Sequence, residues 1–346
     1  MCNIAGYSGN RQAAPILIEM LRRQQSYDGA LSTGVATIHE GKLHYRKVVG
    51  DVDALLRETD ALSLPGTIGI AHSRPAADKN LPHPYISMDG RMALVTNGNT
   101  PPNHYSYLTD NTLELLEKEG FKFTTEMEGK KEGFPSLSNG NAVSPAEGRV
   151  HLVDYYLKKG LCMEEAMARC SDEMYADNVF LTLSLDAPDR ISALRTTRPM
   201  NILLGDGETF LATTTFGFPD DVEGEIMALP LMHVCSVTNE GFTVTKHRIR
   251  TERVAEVNPR AYALAYNGLT EFLLARKNDP VYLDEIVHHL DNNIKGIWNT
   301  EHTYNQRVRL TYNILEQLDK EGRLRFVLRK NERNGVTRDL RYMWAE

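Results

Sequence analysis

The sequence predicts an α+β fold followed by a small helical domain. Three observations carry that reading. Up to about residue 250, short apolar strands and helices are mixed without strict strand–helix alternation, which argues against a doubly wound parallel sheet. From about residue 257 the pattern turns helical, and the chain closes on two short runs joined through Asn334-Gly335, a hairpin signal. The length of 346 residues suits about two domains. A hydrophobic share of 41% and a charged share of 25% place the chain with globular proteins and exclude disordered, collagen-like and coiled-coil chains. There is no run of about 18 apolar residues, so no membrane-spanning helix is expected. The start, MCNIAGYSGNRQAAP, lacks the basic and apolar regions of a secretory signal, so a cytoplasmic protein is expected. A net charge of −7 gives no chain-wide basic footprint for nucleic acid.

The elements follow in order. Helical spacing marks residues 14–24, 112–119, 148–159 and 163–173, and apolar runs mark strands at 35–39, 67–72, 92–96 and 179–185. The run Lys158-Lys159-Gly160 is a cationic last turn with a glycine stop, and Glu164 and Glu165 suit the positive end of the next helix. Residues 202–204 and 209–212 are joined through Gly205-Asp206-Gly207, a hairpin signal. Residues 121–141, rich in Lys, Glu, Gly, Asn and Ser, read as a solvated loop. Helices are expected at 261–277, 282–292 and 306–320, with strands at 323–330 and 336–344, a pattern similar to a winged helix-turn-helix.

Four cysteines are too few for a disulfide framework, and none forms a CxxC pair. Cys162 and Cys170 read as packing residues in or beside a helix. No HExxH or P-loop is present, and the adjacent His288 and His289 point to different faces of a helix. No metal and no cofactor are expected.

Cys2 stands directly after Met1, and removal of the methionine would expose it. A first-residue cysteine holds a thiol of pKa about 8.5 beside an α-amine of about 7.7–8.0. The amine can take the thiol proton near neutral pH, so one residue supplies nucleophile and base.

The neighbours of Cys2 carry a resemblance. Cys2-Asn3-Ile4-Ala5-Gly6-Tyr7 resembles the opening of the class II glutamine amidotransferases, an N-terminal-nucleophile family. Tyr27-Asp28 with Gly34-Val35-Ala36, and then Gly41-Lys42-Leu43 with Arg46 to Asp53, are similar to the segments that follow, closest to the glutaminase domain of glucosamine-6-phosphate synthase. Gly69-Ile70-Ala71-His72-Ser73-Arg74 resembles a further motif, His83-Pro84 and Asn97-Gly98 fall in the same order, and residues 151–157 resemble the central helix. The likeness covers about residues 1 to 250, with no sugar-isomerase domain after it.

The resemblance implies a four-layer αββα sandwich with Cys2 as nucleophile. It implies that the Asn97 amide and the Gly98 N–H form an oxyanion hole, and that Arg74 grips the α-carboxylate of glutamine. His72 and His83 are expected either at the substrate site or as structural hydrogen-bonding residues. Asn3 stands where the family has Gly, Gln25 where it has Arg, and residues 75–78 read Pro-Ala-Ala-Asp. The segment whose acid holds the α-ammonium reads Ser144-Pro145-Ala146-Glu147. Proline cannot hold that charge, so Glu147 or Asp78 is expected to replace it, in an altered pocket.

The expected domains are an amidotransferase-like domain over 1–250, a helical linker over 251–280 and a winged-helix-like domain over 281–346. Between Arg307 and Arg341 ten basic residues stand against five acidic ones. On a winged helix, Arg307 and Arg309 would lie on the recognition helix and Lys330 and Arg333 at the wing tip, although a protein-contact role is favoured over nucleic acid. The expected activity is glutaminase-type hydrolysis of a side-chain amide, with ammonia passed to an acceptor on a separate synthase subunit, in a homo-oligomer. The alternatives are a ligand-sensing regulator whose winged helix binds DNA, and an amidohydrolase for a different amide.

Overall fold

A computed structural model describes residues 2–25, 30–74, 81–99, 108–131, 134–174, 176–196, 198–249, 259–276, 278–293, 307–329 and 339–345. The chain divides into two compact units. One comprises Met1–Gln25, Gly29–Thr196 and Met200–Arg250, and the other centres on Thr251–Glu346.

In chain order the strands of the first unit are β1 (Asn3–Ser8), β2 (Ser32–His39), β3 (Lys42–Val48), β4 (Ile68–Arg74), β5 (Tyr85–Ile86), β6 (Met92–Asn99), β7 (Asp177–Ser184), β8 (Ala187–Arg195), β9 (Asn201–Gly205), β10 (Glu208–Ala212), β11 (Glu225–Ala228), β12 (His233–Thr238) and β13 (Gly241–Arg248). The helices are α1 (Ala13–Gln25), α2 (Val52–Glu58), α3 (Leu108–Lys118), α4 (Pro145–Lys158) and α5 (Met163–Glu173). The strands form a seven-stranded sheet, β11-β9-β10-β1-β4-β2-β3, and a six-stranded sheet, β13-β12-β8-β7-β6-β5.

Strand alternation creates the layers. On β1, Ile4 joins one core while Ala5 and Tyr7 join another; on β10, Leu211 parts from Phe210 and Ala212 in the same way. Ile4, Ala36, Ile70 and Leu211 of the first sheet share a core with Val95, Val179, Leu181 and Ala193 of the second. The outer face of the first sheet packs on α1 through Ala13, Leu17 and Leu21. The outer face of the second, with Leu94, Phe180 and Leu194, packs on α3, α4 and α5 through Leu113, Val150 and Met167. Helices, sheet, sheet, helices is the αββα arrangement.

Helix α4 starts at Pro145, three residues ahead of the expected start. Ser144 caps it by accepting from the Ala146 N–H at 3.3 Å, and proline fits a first helical turn because its missing N–H needs no partner. The expected loop at 121–141 is less solvated than its composition suggests: Phe121, Thr125 and Leu137 are buried, and isolated bridges join Met127 and Ser136 to Ala142.

The second unit holds α6 (Pro259–Ala275), α7 (Leu283–Asn293), α8 (Arg307–Lys320), β14 (Leu324–Arg329) and β15 (Asp339–Trp344). Ala261, Ala265, Leu269 and Leu273 form a buried stripe at four-residue spacing on α6, joined in burial by Ile286, Leu290, Leu310, Ile314 and Leu318. Strands β14 and β15 pair antiparallel, and Val281, between α6 and α7, exchanges two backbone hydrogen bonds of 2.9 Å with Tyr342 on β15. Helix α6 falls within the span expected as a linker, yet it packs as part of this unit. Tyr262 Oη donates to Gln317 Oε1, and Tyr266 Oη to Glu321 Oε2 at 2.7 Å. No described helix is long and apolar enough to cross a membrane.

Candidate active site

Cys2 is half-buried and in no disulfide. It sits at the entry to β1, the central strand of its sheet. Asn3 pairs with Ser73 and Ile4 with His72 on β4, so continuing the register places Cys2 beside Arg74. By alternation Cys2 shares the face of Ile4, toward the second sheet, and Asn3 shares the face of Ala5 and Tyr7, toward α1. Asn3 uses that position: its Nδ2 donates to Gln24 O at 2.9 Å, while Gln24 Nε2 donates to Ile4 O at 3.2 Å and Gln24 Oε1 accepts from Thr214 N at 3.2 Å. The asparagine that replaces the family glycine therefore anchors the start of β1 to α1.

Asn97 and Gly98 lie near the end of β6, where Asn97 shares the inward parity of Ala93 and Val95. Asn97 is 3% exposed, and its Nδ2 has no hydrogen-bond partner among the described residues. A buried amide donor without a partner is costly, so such an atom calls for an explanation. Gly98 has φ of 153°, a value that a residue with a Cβ rarely takes. Arg74 Nη1 donates to Leu81 O at 3.0 Å, and its buried Nε has no partner among the described residues.

His72 and His83 are buried and stacked, with centroids 3.8 Å apart and planes 14° from parallel. Both clip one residue. His72 Nε2 donates to Thr96 O at 3.0 Å, and His83 Nδ1 accepts from Thr96 N at 3.3 Å. His72 thus crosses from the first sheet to the second, and with His83 it fixes the backbone next to Asn97. Gly34 admits this arrangement: a Cβ there would lie 2.0 Å from His83 O.

Burial, aided by the Arg74 charge, lowers His72 to about 3. Burial, aided by the charges of His72, Arg74 and Lys47, holds His83 well below its ordinary value. In the unfolded chain both take up a proton near pH 6.5. Below that pH the unfolded state binds more protons than the folded state, so stability falls as the solution is acidified, down toward about pH 3. Each histidine adds a slope of at most about 1.4 kcal/mol per pH unit. Urea midpoints taken from about pH 7 down to about pH 4.5 should fall accordingly, and His72→Gln should flatten the fall; an unchanged slope would count against a buried neutral His72.

Glu147 is not placed as an ammonium clamp. It is 2% exposed, and its carboxylate accepts four bonds: from Thr124 N at 2.8 Å, Thr124 Oγ1 at 2.6 Å, Thr125 N at 2.9 Å and Thr125 Oγ1 at 2.6 Å. Those donors occupy its acceptor sites and hold residues 124–125 against α4. Asp78 lies outside the described residues. Two further residues stand beside the site without any sequence signal. Burial pushes the Tyr85 phenol up to about 12, and the charges of Arg74, Glu147 and Cys2 all reach it. Its hydroxyl accepts from Ser144 Oγ at 2.9 Å and donates to Leu81 O at 3.3 Å. Lys47 Nζ donates to Pro84 O at 3.1 Å and lies 5.7 Å from the Tyr85 ring centre. Cys170 and Cys235 are buried, and burial raises both thiols to about 11.

No family model matches the chain. The chain is 32% identical over 221 residues to a glutamine–fructose-6-phosphate aminotransferase (isomerizing) of Caldanaerobacter subterraneus, covering 62% of this chain and 31% of that protein. With the enzyme of the same description from Pyrococcus horikoshii the identity is 30% over 221 residues, covering 62% and 32%. The chain thus spans about a third of the length of these relatives. Among solved structures, glutamine phosphoribosylpyrophosphate amidotransferase from B. subtilis superposes with a TM-score of 0.59 at 18% identity, over 79% of this chain and 58% of that one. The allosteric regulatory enzyme of purine biosynthesis superposes at 0.58 and 16%, over 80% and 58%. By sequence and by fold, the N-terminal part of the chain is related to the class II, N-terminal-nucleophile glutamine amidotransferase domain, with that of glutamine–fructose-6-phosphate aminotransferase among its relatives.

Proposed function

We propose that the first unit hydrolyses a side-chain amide, that of glutamine in the first instance, with Cys2 as the first residue of the mature chain. The α-amine of Cys2 takes the thiol proton, and Sγ attacks the amide carbon. The carbonyl oxygen becomes an oxyanion, which the Asn97 amide and the Gly98 N–H receive. Collapse of that intermediate expels ammonia, which takes its proton from the α-ammonium, and leaves a thioester on Cys2. Water then hydrolyses the thioester. The observation that carries this reading is the buried Asn97 Nδ2, without a partner among the described residues, beside a glycine at φ 153°. Such a donor fits a charge that exists only during the reaction. Arg74, whose Nε has no partner among the described residues, offers a fork for the substrate carboxylate. With Glu147 occupied by Thr124 and Thr125, the α-ammonium contact falls to Asp78 or to another group, and the pocket differs from the family pattern in that respect.

A glutamine-like electrophile should label Cys2 stoichiometrically, read by peptide mass mapping. Cys170 and Cys235 should stay unlabelled, since burial keeps both as thiols. Labelling of Cys2 no faster than of Cys162 would count against a special reactivity.

The ammonia acceptor is proposed to sit on a separate protein. The second unit is proposed to be winged-helix-like and to serve in protein contact, including self-association. The order helix, bridge residue, helix, helix, strand, strand supports that reading, because Val281 pairs with β15 as a short third strand. The same order keeps DNA binding by a ligand-sensing regulator as the second reading. Of the four basic residues that it needs, Lys330 and Arg333 lie outside the described residues, and Arg307 and Arg309 are placed on α8 by backbone alone.

A further inference from the structure

Away from Cys2, the first unit gathers a second set of reactive groups. Cys162 is the N-cap residue of α5, Glu165 lies in its first turn, and His247 lies near the end of β13. One ligand atom from each comes within 4.8 Å of both others. The sequence marks Cys162 as a packing residue, yet it is exposed, and its Sγ lies 3.7 Å from His247 Nε2 across 85 residues of chain. No consecutive motif could have signalled that meeting.

We propose that Cys162, Glu165 and His247 form a surface site for a borderline-soft divalent ion, zinc above all. The geometry fits. Zinc takes thiolate at about 2.3 Å and imidazole at about 2.0–2.1 Å, and at a tetrahedral angle these bonds separate S from N by about 3.5 Å. The observed 3.7 Å needs almost no movement. Cys162 and Glu165 stand three residues apart, which puts them on one face of α5, and the glutamate side chain can swing its carboxylate to close the set. Glu164, in contrast, is engaged by Arg190 at 3.2 Å. Among the described residues, Cys162, Glu165 and His247 have no side-chain hydrogen bond or ion pair except the contact between Cys162 and His247. A thiolate and an imidazole select zinc over magnesium or calcium, which prefer oxygen ligands. On coordination the thiol releases its proton to solvent, and a water completes the fourth position. Bound metal would tie α5 to β13.

The test is a cobalt(II) titration of the full chain carrying Cys2→Ala, so that the first-residue thiol cannot supply a ligand. We expect one equivalent to produce a thiolate-to-cobalt charge-transfer band that one equivalent of zinc bleaches. Cys162→Ser should remove the band, and His247→Gln should weaken binding by more than about 100-fold, beyond the 10–100-fold typical of outer-shell changes. Both variants change surface side chains, so circular dichroism should stay unchanged. A simple S–H···N hydrogen bond between the two side chains would give no band. Its absence, or its persistence in Cys162→Ser, overturns the proposal, and neither outcome bears on the chemistry of Cys2.

Discussion

Cys2→Ala is expected to abolish ammonia release from glutamine, by on the order of 10⁴-fold or more, the scale on which covalent catalysts lose their nucleophile. The substitution removes one sulfur from a half-buried side chain at the start of β1. It leaves the pairing of Asn3 with Ser73 and the Asn3–Gln24 bond untouched, so stability should change by less than about 1 kcal/mol. Alanine also permits removal of Met1, which keeps the free amine and isolates the thiol as the missing part. Ammonia release and the urea midpoint, measured together, separate loss of chemistry from loss of fold. Retention of more than a tenth of the activity would place the nucleophile elsewhere.

Asn97→Ala is the second large effect. Loss of one oxyanion donor typically costs about 10²–10³ in kcat, or roughly 2.7–4 kcal/mol of barrier. The folded protein should hardly register the change, because the Asn97 amide nitrogen makes no hydrogen bond among the described residues. Buried asparagines that hold structure behave in the opposite way: they give up stability when truncated, because their partners are left unpaired. Steady-state kinetics should show kcat reduced with KM little changed, the pattern of an interaction made only in the transition state. A large fall in stability with kcat preserved would turn Asn97 into a structural residue.

Most of the helices are legible in the sequence; α2, only seven residues long, is not. α1, α3 and α5 show apolar residues at helical spacing, and α5 carries its acids at the start. The edge strands were not legible. β3 reads Lys-Leu-His-Tyr-Arg-Lys-Val and β13 Gly-Phe-Thr-Val-Thr-Lys-His-Arg, because an edge strand with an exposed face needs few apolar residues. β1 is not marked either, because its six residues include Asn3 and Gly6. At the site, the motif order pointed to Asn97, Gly98 and Arg74, which lie near the ends of β6 and β4, Asn97 and Arg74 each with a buried nitrogen that has no partner among the described residues. It could not show that His72 and His83 would spend their nitrogens on Thr96, or that Thr124 and Thr125 would occupy Glu147 from more than twenty residues away. Those are tertiary contacts, which spacing along the chain does not encode.

The central claim is that this chain, with Cys2 exposed at its start, hydrolyses an amide. The most direct measurement is ammonia release from L-glutamine by purified protein whose intact mass shows that Met1 is gone. Multiple turnovers that cease when Cys2 is blocked or replaced are the expected result. Processed, folded protein that releases no ammonia from glutamine, or that releases it equally well with Met1 retained, would contradict it.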